Sequence, residues 1–322
     1  MAAQILRRGQ AIVWVPPRAI GERAFASEAS LLALLPIAAM ETLLSGMGES
    51  AVTVEGSGSA ARYARVSFDA LPALKSVTLV FDARDVTLLR AVVPPLSGAR
   101  QQQALPNIAE DSLLQDPQQC GFALGPRSGE DERLIAAIDR SWLEHVIGAF
   151  ERRGARVQAA WPAQLVLPLG DASAALGCLN SGLALRTGTL EGLGWNASED
   201  VGQRAEAIVS LLQAAWIEPP ATAGEPLDAE PALAAQAPVR PLTVFVDGPE
   251  WEPAVMHAAG QLGISADVRS LPLPSAAPID LLAARRGSAA RRWLADIDWR
   301  DWRLPAALAM ATVAVAIMGG TA

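Results

Sequence analysis

The chain has 322 residues, of which 51% are hydrophobic and 19% charged, and its formal net charge is −8. The hydrophobic content excludes a wholly disordered chain, and the length allows two or three packed domains. The negative charge argues against nucleic acid as the main partner. Cys120 and Cys178 are the only cysteines, so the sequence predicts no disulfide framework, as is usual in a reducing compartment.

The first 76 residues contain short elements separated by turn-forming residues. Residues 10–15 are rich in β-forming side chains, which predicts a strand. Residues 29–44 are apolar but interrupted at Pro36, as expected for a strand, a turn and a helix. Glycine and serine dominate residues 45–59 around one further predicted strand. The start, MAAQILRRGQ, lacks the apolar core of a signal peptide.

Residues 77–156 give the clearest pattern in the chain. The predicted elements are strands at 77–81 and 86–93, a helix at 97–114, strands at 122–124 and 134–138, and a helix at 141–153. The turn 82–85 predicts that the first two strands form a hairpin. Ser97 and Ser141 are the predicted N-caps of the two helices. This order indicates a small α+β layer with helices on one face of a sheet.

The following residues repeat an alternation of strands and helices. We predict a β-hairpin or meander at 176–195, a helix at 201–216, a strand at 242–246, a helix at 251–262, a strand at 266–269 and an extended segment at 271–278. Residues 217–241 are rich in Pro, Ala and Glu without periodicity. They are therefore interpreted as an exposed linker or loop.

The last nineteen residues, 304–322, carry no charge and would reach about 28 Å as a helix, close to the thickness of a bilayer core. Arginine and tryptophan residues precede them and form a predicted membrane-interface belt: Arg291, Arg292, Trp293, Trp299, Arg300, Trp302 and Arg303. Arginines on one flank place that flank in the cytoplasm. We therefore predict a single transmembrane helix that contacts membrane lipid, although a buried C-terminal helix of a soluble protein is an alternative.

Small residues recur four apart within this apolar segment, at Thr312, Ala316 and Gly320. A stripe of this kind lets another helix approach closely in a membrane. The alternative is that the stripe only reflects the alanine-rich composition of the segment. Helix packing at these three positions is therefore one of two open interpretations.

Several motifs resemble those of the type II secretion system protein L family. The first is a run of the form R-Q-x-A-L-P-x-x-x-E-D-x-L, matched by Arg100, Gln101, Ala104, Leu105, Pro106, Glu110, Asp111 and Leu113. Further matches follow in order at 123–125, 138–143, 160–164, 279–282 and 302–306. The resemblance covers roughly residues 77–310.

The resemblance implies an α/β (α+β) fold with two actin-like, ribonuclease H-like lobes, a small inserted α+β subdomain and a single C-terminal transmembrane helix. On this basis the domains are a first lobe, the inserted subdomain, a second lobe containing the linker 217–241, a juxtamembrane segment and the span, at 1–76, 77–156, 157–283, 284–303 and 304–322. It also implies a location in the bacterial inner membrane, with one span and a cytoplasmic N-terminal region.

Actin-like folds commonly hold ATP between their lobes with two Asp-x-Gly hairpins and a Gly-Gly turn. The first hairpin has no counterpart near residues 10–22. At the second, Asn180 stands where the metal-orienting aspartate would be, two residues before Gly182. At the adenosine side, Asp247-Gly248-Pro249 replaces the double glycine. These four candidate residues, Asn180, Gly182, Asp247 and Gly248, therefore form a degenerate site, and we predict no bound cofactor.

Other catalytic chemistry is weakly supported. His145 and His257 are the only histidines and are far apart in sequence, so neither a metal role nor catalysis is expected. Neither cysteine has a ligand at zinc spacing, and the phosphate-binding P-loop and the hydrolase nucleophile motif are missing. Glu110 and Asp111 are adjacent on a predicted helix and do not face each other. We predict no enzymatic activity and no catalytic or metal-binding residues.

Two functions of different classes remain. The resemblance implies an inner-membrane scaffold that recruits the N-terminal domain of the cytoplasmic secretion ATPase (the E protein) and couples it to pseudopilus assembly. Its expected partners also include the M, C and F proteins of the platform and a second copy of the chain. The alternative is a membrane-anchored actin-like nucleotide-binding protein, related to pilus-assembly or cell-division actin homologues.

Overall fold

The computed structural model describes residues 6, 9–18, 30–47, 53–54, 61–128, 131–170, 172, 174–179, 182–198, 200–217, 241–274 and 276–285. Its strands are β1 (Gln10–Val15), β2 (Ser30–Pro36), β3 (Thr53–Val54), β4 (Ala61–Ser67), β5 (Ser76–Phe81), β6 (Val86–Val92), β7 (Cys120–Arg127), β8 (Glu132–Asp139), β9 (Arg156–Pro162), β10 (Ala174–Leu179), β11 (Gly182–Gly188), β12 (Glu191–Asn196), β13 (Pro241–Val246) and β14 (Ser265–Ser270). Its helices are α1 (Ile37–Met47), α2 (Gly98–Ala109), α3 (Arg140–Arg152), α4 (Ala163–Val166), α5 (Val201–Leu212) and α6 (Glu252–Leu262).

Two large sheets share one topology. The first sheet has the order β3-β4-β2-β1-β5-β9, and the second has the order β12-β11-β10-β13-β14. In each, the strand that comes first along the chain (β1 or β10) has two successive antiparallel strands on one side (β2 and β4, or β11 and β12) and two parallel strands on the other. In the first sheet, β3 adds a further edge strand beside β4. This mixed α/β architecture agrees with the α/β class predicted from the sequence, and the repeated topology suits two related lobes.

A small antiparallel sheet, β6-β8-β7, lies in sequence between β5 and β9 of the first sheet. Helix α2 packs on one of its faces through Leu105 and Ala109, which contact Phe122 and Ile135 in one buried cluster. Helix α3 belongs to the core of the first sheet, with Phe150 stacked edge-on against a phenylalanine of the first lobe. The inserted α+β subdomain is thus attached to the first lobe by a shared core.

The central strands are apolar on both faces because both faces are covered. In β1, Ala11, Val13 and Val15 belong to the core under α3, whereas Ile12 and Trp14 belong to a core between the two large sheets. A third core lies between the second sheet and helices α5 and α6. Because side chains alternate between the two faces of a strand, the side chains of β1 belong to two different cores.

Three local predictions are wrong. Strands β5 and β6 do not form a hairpin, because the residues between them form a 3₁₀ turn that takes the chain from the first sheet to the small sheet. The helix predicted at 97–114 ends at Ala109, and Ser97 makes no side-chain cap. Asp139, not Ser141, caps α3, and its carboxylate accepts a hydrogen bond from the Trp142 N–H.

None of the helices within the described residues is long and apolar enough to cross a membrane. The predicted span at 304–322 and almost all of the preceding arginine–tryptophan segment lie outside the described residues, as does nearly all of the linker 217–241. The predicted domain boundaries stay predictions.

Candidate functional site

The two lobes meet through an apolar layer between the two large sheets. Trp14 and Tyr63 of the first sheet pack edge-on, with ring centroids 5.3 Å apart, and share a buried cluster with Ala184 and Phe245 of the second sheet. The Tyr63 hydroxyl donates a hydrogen bond of 2.6 Å to the carbonyl of Pro272, which follows β14. The expected cofactor cleft would lie at the edge of this layer.

Arg84 fills the space beside the second predicted phosphate hairpin. The Asp82 carboxylate caps the turn after β5 and binds the Arg84 guanidinium at 2.8 and 2.9 Å. Arg84 Nη1 then donates across the lobes to Asn196 Oδ1 at 2.9 Å. A Cβ added to Gly182 would lie 2.6 Å from Arg84 Nη2, so Gly182 leaves room for the arginine.

The backbones of the lobes also touch directly. A Cβ at Gly194 of β12 would collide with the backbone of Ala83 and Arg84, so only glycine fits there. A cavity between the lobes, lined among others by Trp14, Asp82 and Gly182, has a volume of about 10 Å³. That is room for about one water, whereas ligand pockets usually measure about 300–1,000 Å³.

Asp247, predicted at the adenosine side, instead joins the lobes. It lies at the end of β13 and is fully buried. Its Oδ2 binds Arg65 Nη2 of β4 at 2.6 Å, and its Oδ1 accepts from Trp251 Nε1 at 3.1 Å. Arg204 lies over the Trp251 ring at 4.4 Å. The side chain therefore has an ion-pair partner from the first lobe.

Gly248 follows Asp247 in extended backbone. A Cβ there would meet the carboxylate of Glu250, a flexible side chain that can move aside. Asn180, the remaining candidate for the nucleotide site, lies outside the described residues. Of the four candidates, the structure thus describes three, and two of them contact arginines of the first lobe.

A second polar cluster, which the sequence did not indicate, joins the inserted subdomain to the first lobe. Asp85 Oδ2 accepts hydrogen bonds from the Arg18 N–H at 2.8 Å and from Trp142 Nε1 at 3.1 Å. Arg18 Nη1 binds Asp139 Oδ2 at 2.5 Å. In the sequence, the only indication of this cluster is the pair of aspartates, Asp82 and Asp85, in the turn after β5. The sequence pattern predicts a hairpin there and not a polar contact.

The two carboxyl groups of this cluster titrate in opposite directions. Burial, with help from the charge of Asp82, raises the pKa of Asp85 from 3.8 to about 7. Burial also acts to raise the pKa of Asp139, but hydrogen bonds from Ser141 and the Trp142 N–H, together with Arg18, outweigh it and lower that pKa. The cluster thus holds one carboxyl that favours its neutral form and one that favours its charged form.

Residues 279–285, here called the strap, lie between the first sheet and the small sheet. The Leu281 N–H donates to the Ala160 carbonyl at 2.8 Å, and the Ala160 N–H donates to Asp280 Oδ1 at 3.0 Å. Ile279 and Leu281 are buried in the core of the first lobe, and Ala284 packs closely on β7. The strap therefore covers the edge strand β9 and contacts the inserted subdomain.

Arg285 fixes the end of the strap to α3. Its guanidinium binds Glu144 at 3.1 Å and Glu151 at 2.6 and 3.0 Å. The hydrogen bond from Arg285 lowers the pKa of Glu151. The described residues end at Arg285. This network is therefore the last described contact of the chain before the predicted membrane-interface belt.

The other predicted site residues lie apart. The family-signature residues occur on α2 and the turn after it, where Leu105 is buried, Arg100, Glu110 and Asp111 are exposed, and Ala104 and Pro106 are partly buried. The described residues include no group of three or more possible metal ligands. The membrane-interface and helix-packing candidates lie outside the described part of the chain: Arg291, Arg292, Trp293, Trp299, Arg300, Trp302, Arg303, Thr312, Ala316 and Gly320.

The chain is similar in fold to the cytoplasmic domain of EpsL, an inner-membrane component of the type II secretion system of Vibrio cholerae. The TM-score is 0.50 at 16% identity, covering 87% of this chain and 94% of that one. A weaker likeness, with a TM-score of 0.37 and 9% identity over 81% of this chain and 90% of the other, is to a Bacteroides thetaiotaomicron protein with an actin-like ATPase fold and unknown function.

Two sequence comparisons agree with each other. The Vibrio cholerae type II secretion system protein L is 24% identical over 123 residues, which cover 38% of this chain and only 30% of that protein. The family model of type II secretion system protein L matches residues 47–232, more than half of the chain. The chain therefore belongs to the type II secretion system protein L family, a family of inner-membrane components of that system.

Proposed function

We propose that this chain is a scaffold of the inner-membrane platform. The chain recruits the secretion ATPase to the membrane and couples it to pseudopilus assembly. In this proposal the E protein binds through its N-terminal domain, the M, C and F proteins are neighbours, and the chain self-associates. It crosses the membrane once with its N-terminal region in the cytoplasm. It is not an enzyme, and its lobes act as rigid binding surfaces.

The observation that carries the proposal is the closed contact between the lobes. Arg84 lies against Gly182 where a phosphate would approach, and Asp247 is paired with Arg65. A nucleotide-driven switch needs a cleft that opens and closes around its ligand. Here ion pairs and backbone contact occupy that region, which supports a body of fixed shape.

The strap supplies the mechanical side of the proposal. A force applied to the segment after residue 285 reaches Glu144 and Glu151 of α3 through Arg285, and β9 through Leu281. Both attachments belong to the first lobe and the inserted subdomain. A force on this segment would therefore act on buried and ion-paired contacts of the first lobe and the inserted subdomain, which suits a coupler between a cytoplasmic motor and a membrane assembly.

The proposal is tested by flotation of lipid vesicles that carry the full chain, mixed with the isolated N-terminal domain of the secretion ATPase. We expect this domain to float with the vesicles, and not with vesicles lacking the chain. ATP binding is measured on the same sample and on an Asp247→Asn variant. Absence of co-flotation would overturn the proposal, and ATP binding that requires Asp247 would favour the actin-like nucleotide-binding alternative.

A further inference from the structure

Among the residues that the structure describes, the outer edge of β14 has no neighbouring strand in the second sheet. β14 pairs only with β13, and within the described residues no hydrogen bond joins its outer backbone groups to another segment. The opposite edge of this sheet, β12, is covered where Gly194 touches the turn after β5. An open edge strand can pair with another chain unless something prevents it.

The direction of the outer backbone groups follows from the pairing with β13. The Leu271 N–H donates to the Val246 carbonyl, so Leu271 points toward β13. Since strand residues alternate in direction, Asp267 and Arg269 also direct their backbone groups inward. Ala266, Val268 and Ser270 therefore direct theirs to the open edge.

The charged side chains of β14 stand on one face. Asp267 and Arg269 form an ion pair within the strand, with Nε and Nη2 of the arginine 2.8 and 2.5 Å from Asp267 Oδ2. Their side chains remain 56% and 62% exposed. They border an open cleft of about 330 Å³, which Thr243 and Phe245 also line. This face thus offers one acidic and one basic side chain to the side chains of a strand that pairs along the edge.

We propose that two copies of the chain pair antiparallel through β14, with Val268 on the two-fold axis. This inference rests on the self-association in the proposed function, not on ATPase recruitment. With Val268 opposite Val268 of the second copy, Asp267 stands opposite Arg269, and Arg269 opposite Asp267. Val268 then exchanges backbone hydrogen bonds with its counterpart, as the outward direction of its N–H and C=O requires.

The charges select this register over its neighbours. A shift of the pairing by two residues in one direction sets Asp267 against Asp267, and a shift in the other sets Arg269 against Arg269. Opposite charges directly across a strand pair are stabilising and like charges are destabilising. Because the interface uses the same strand in both copies, it closes as a dimer and leaves no β14 edge exposed.

Charge reversal tests the pairing in the full chain, purified in detergent and measured by sedimentation at several concentrations. Asp267→Arg and Arg269→Asp should each weaken self-association by about tenfold or more, because two attractive pairs become repulsive. An equal mixture of the two variants should form mixed dimers, since every opposite pair is then complementary. Glu206→Arg and Arg127→Asp, which make the same charge changes at exposed positions elsewhere, should leave association unchanged.

Disulfide cross-linking tests the register independently. Val268→Cys should cross-link to itself under mild oxidation, because directly opposite Cα atoms of a hydrogen-bonded pair lie about 5.5 Å apart. Ser270→Cys should not, because its two copies would be about 13 Å apart. The native Cys120 and Cys178 are buried and give a low background.

Each outcome decides the inference. Equal association of wild type and both charge variants, with no preference for mixed dimers, would overturn it, as would stronger cross-linking at Ser270 than at Val268. A wild-type chain that stays monomeric would overturn both this inference and the self-association in the proposed function. ATPase co-flotation is measured separately and is unaffected by any of these results.

Discussion

Replacing Arg65 by methionine removes one partner of the ion pair that joins the lobes. Asp247 is fully buried, and the Arg65 side chain is only 22% exposed. The substitution leaves a buried carboxylate that keeps its hydrogen bond from the Trp251 indole but loses the positive charge of Arg65. Removing one member of a buried pair costs about 3–5 kcal/mol, so Arg65→Met should lower the free energy of unfolding by about that amount.

Replacing the other partner of this ion pair, by Asp247→Asn, should lower the free energy of unfolding by a smaller amount. Asparagine keeps an oxygen for Trp251, and the Arg65 guanidinium is partly hydrated. We expect a loss of about 1.5–3 kcal/mol, as for a hydrogen bond to a charged group. The double variant should lose less than the sum of the two single losses, by about 1 kcal/mol or more, because the residues are in contact.

Urea unfolding of the full chain, followed by tryptophan fluorescence, measures these losses. Arg90→Met is the matched control, because the Arg90–Glu191 pair is 40% and 47% exposed and should contribute about 0–1 kcal/mol. Equal losses for Arg65→Met and Arg90→Met would refute the claim that the Asp247 pair holds the lobes together. Additive losses in the double variant would refute a direct coupling.

Three further predictions concern the strap, the buried carboxyl and the membrane segment. Leu281→Ala should cost about 2–5 kcal/mol and speed protease cleavage at the strap, whereas Leu273→Ala, at a site 39% exposed, should change cleavage little. Because burial raises the pKa of Asp85 to about 7, its ionisation opposes folding. Stability should therefore rise as pH falls from about 7 toward 4, by up to about 1.4 kcal/mol per unit, and Asp85→Asn should remove this component of the pH dependence of unfolding. Arg300→Glu with Arg303→Glu should scramble topology or reduce membrane insertion, and unchanged protease accessibility in vesicles would contradict the predicted orientation.

Local chemistry made part of the fold predictable. β-Branched runs bounded by turn residues marked the strands at 77–81, 86–93 and 242–246. The run at 77–81 is apolar apart from Thr78 because β5 is buried along its whole length. The predicted hairpin was wrong for a related reason. A four-residue turn between two such runs has similar residues whether the chain pairs with itself or crosses to another sheet, and only the partners β9 and β8 decide between them.

The sequence by itself determined the mixed α/β class and the protein L motifs, since both depend on residue type at fixed spacing, and the degenerate nucleotide site stays a prediction. Only the tertiary structure decided what the candidate residues do. Asp247 meets Arg65 from a strand 182 positions earlier, and Arg84 reaches Gly182 and Asn196 across the lobes. Ion pairs and close backbone contacts of this kind form between segments distant in sequence, so no local pattern records them.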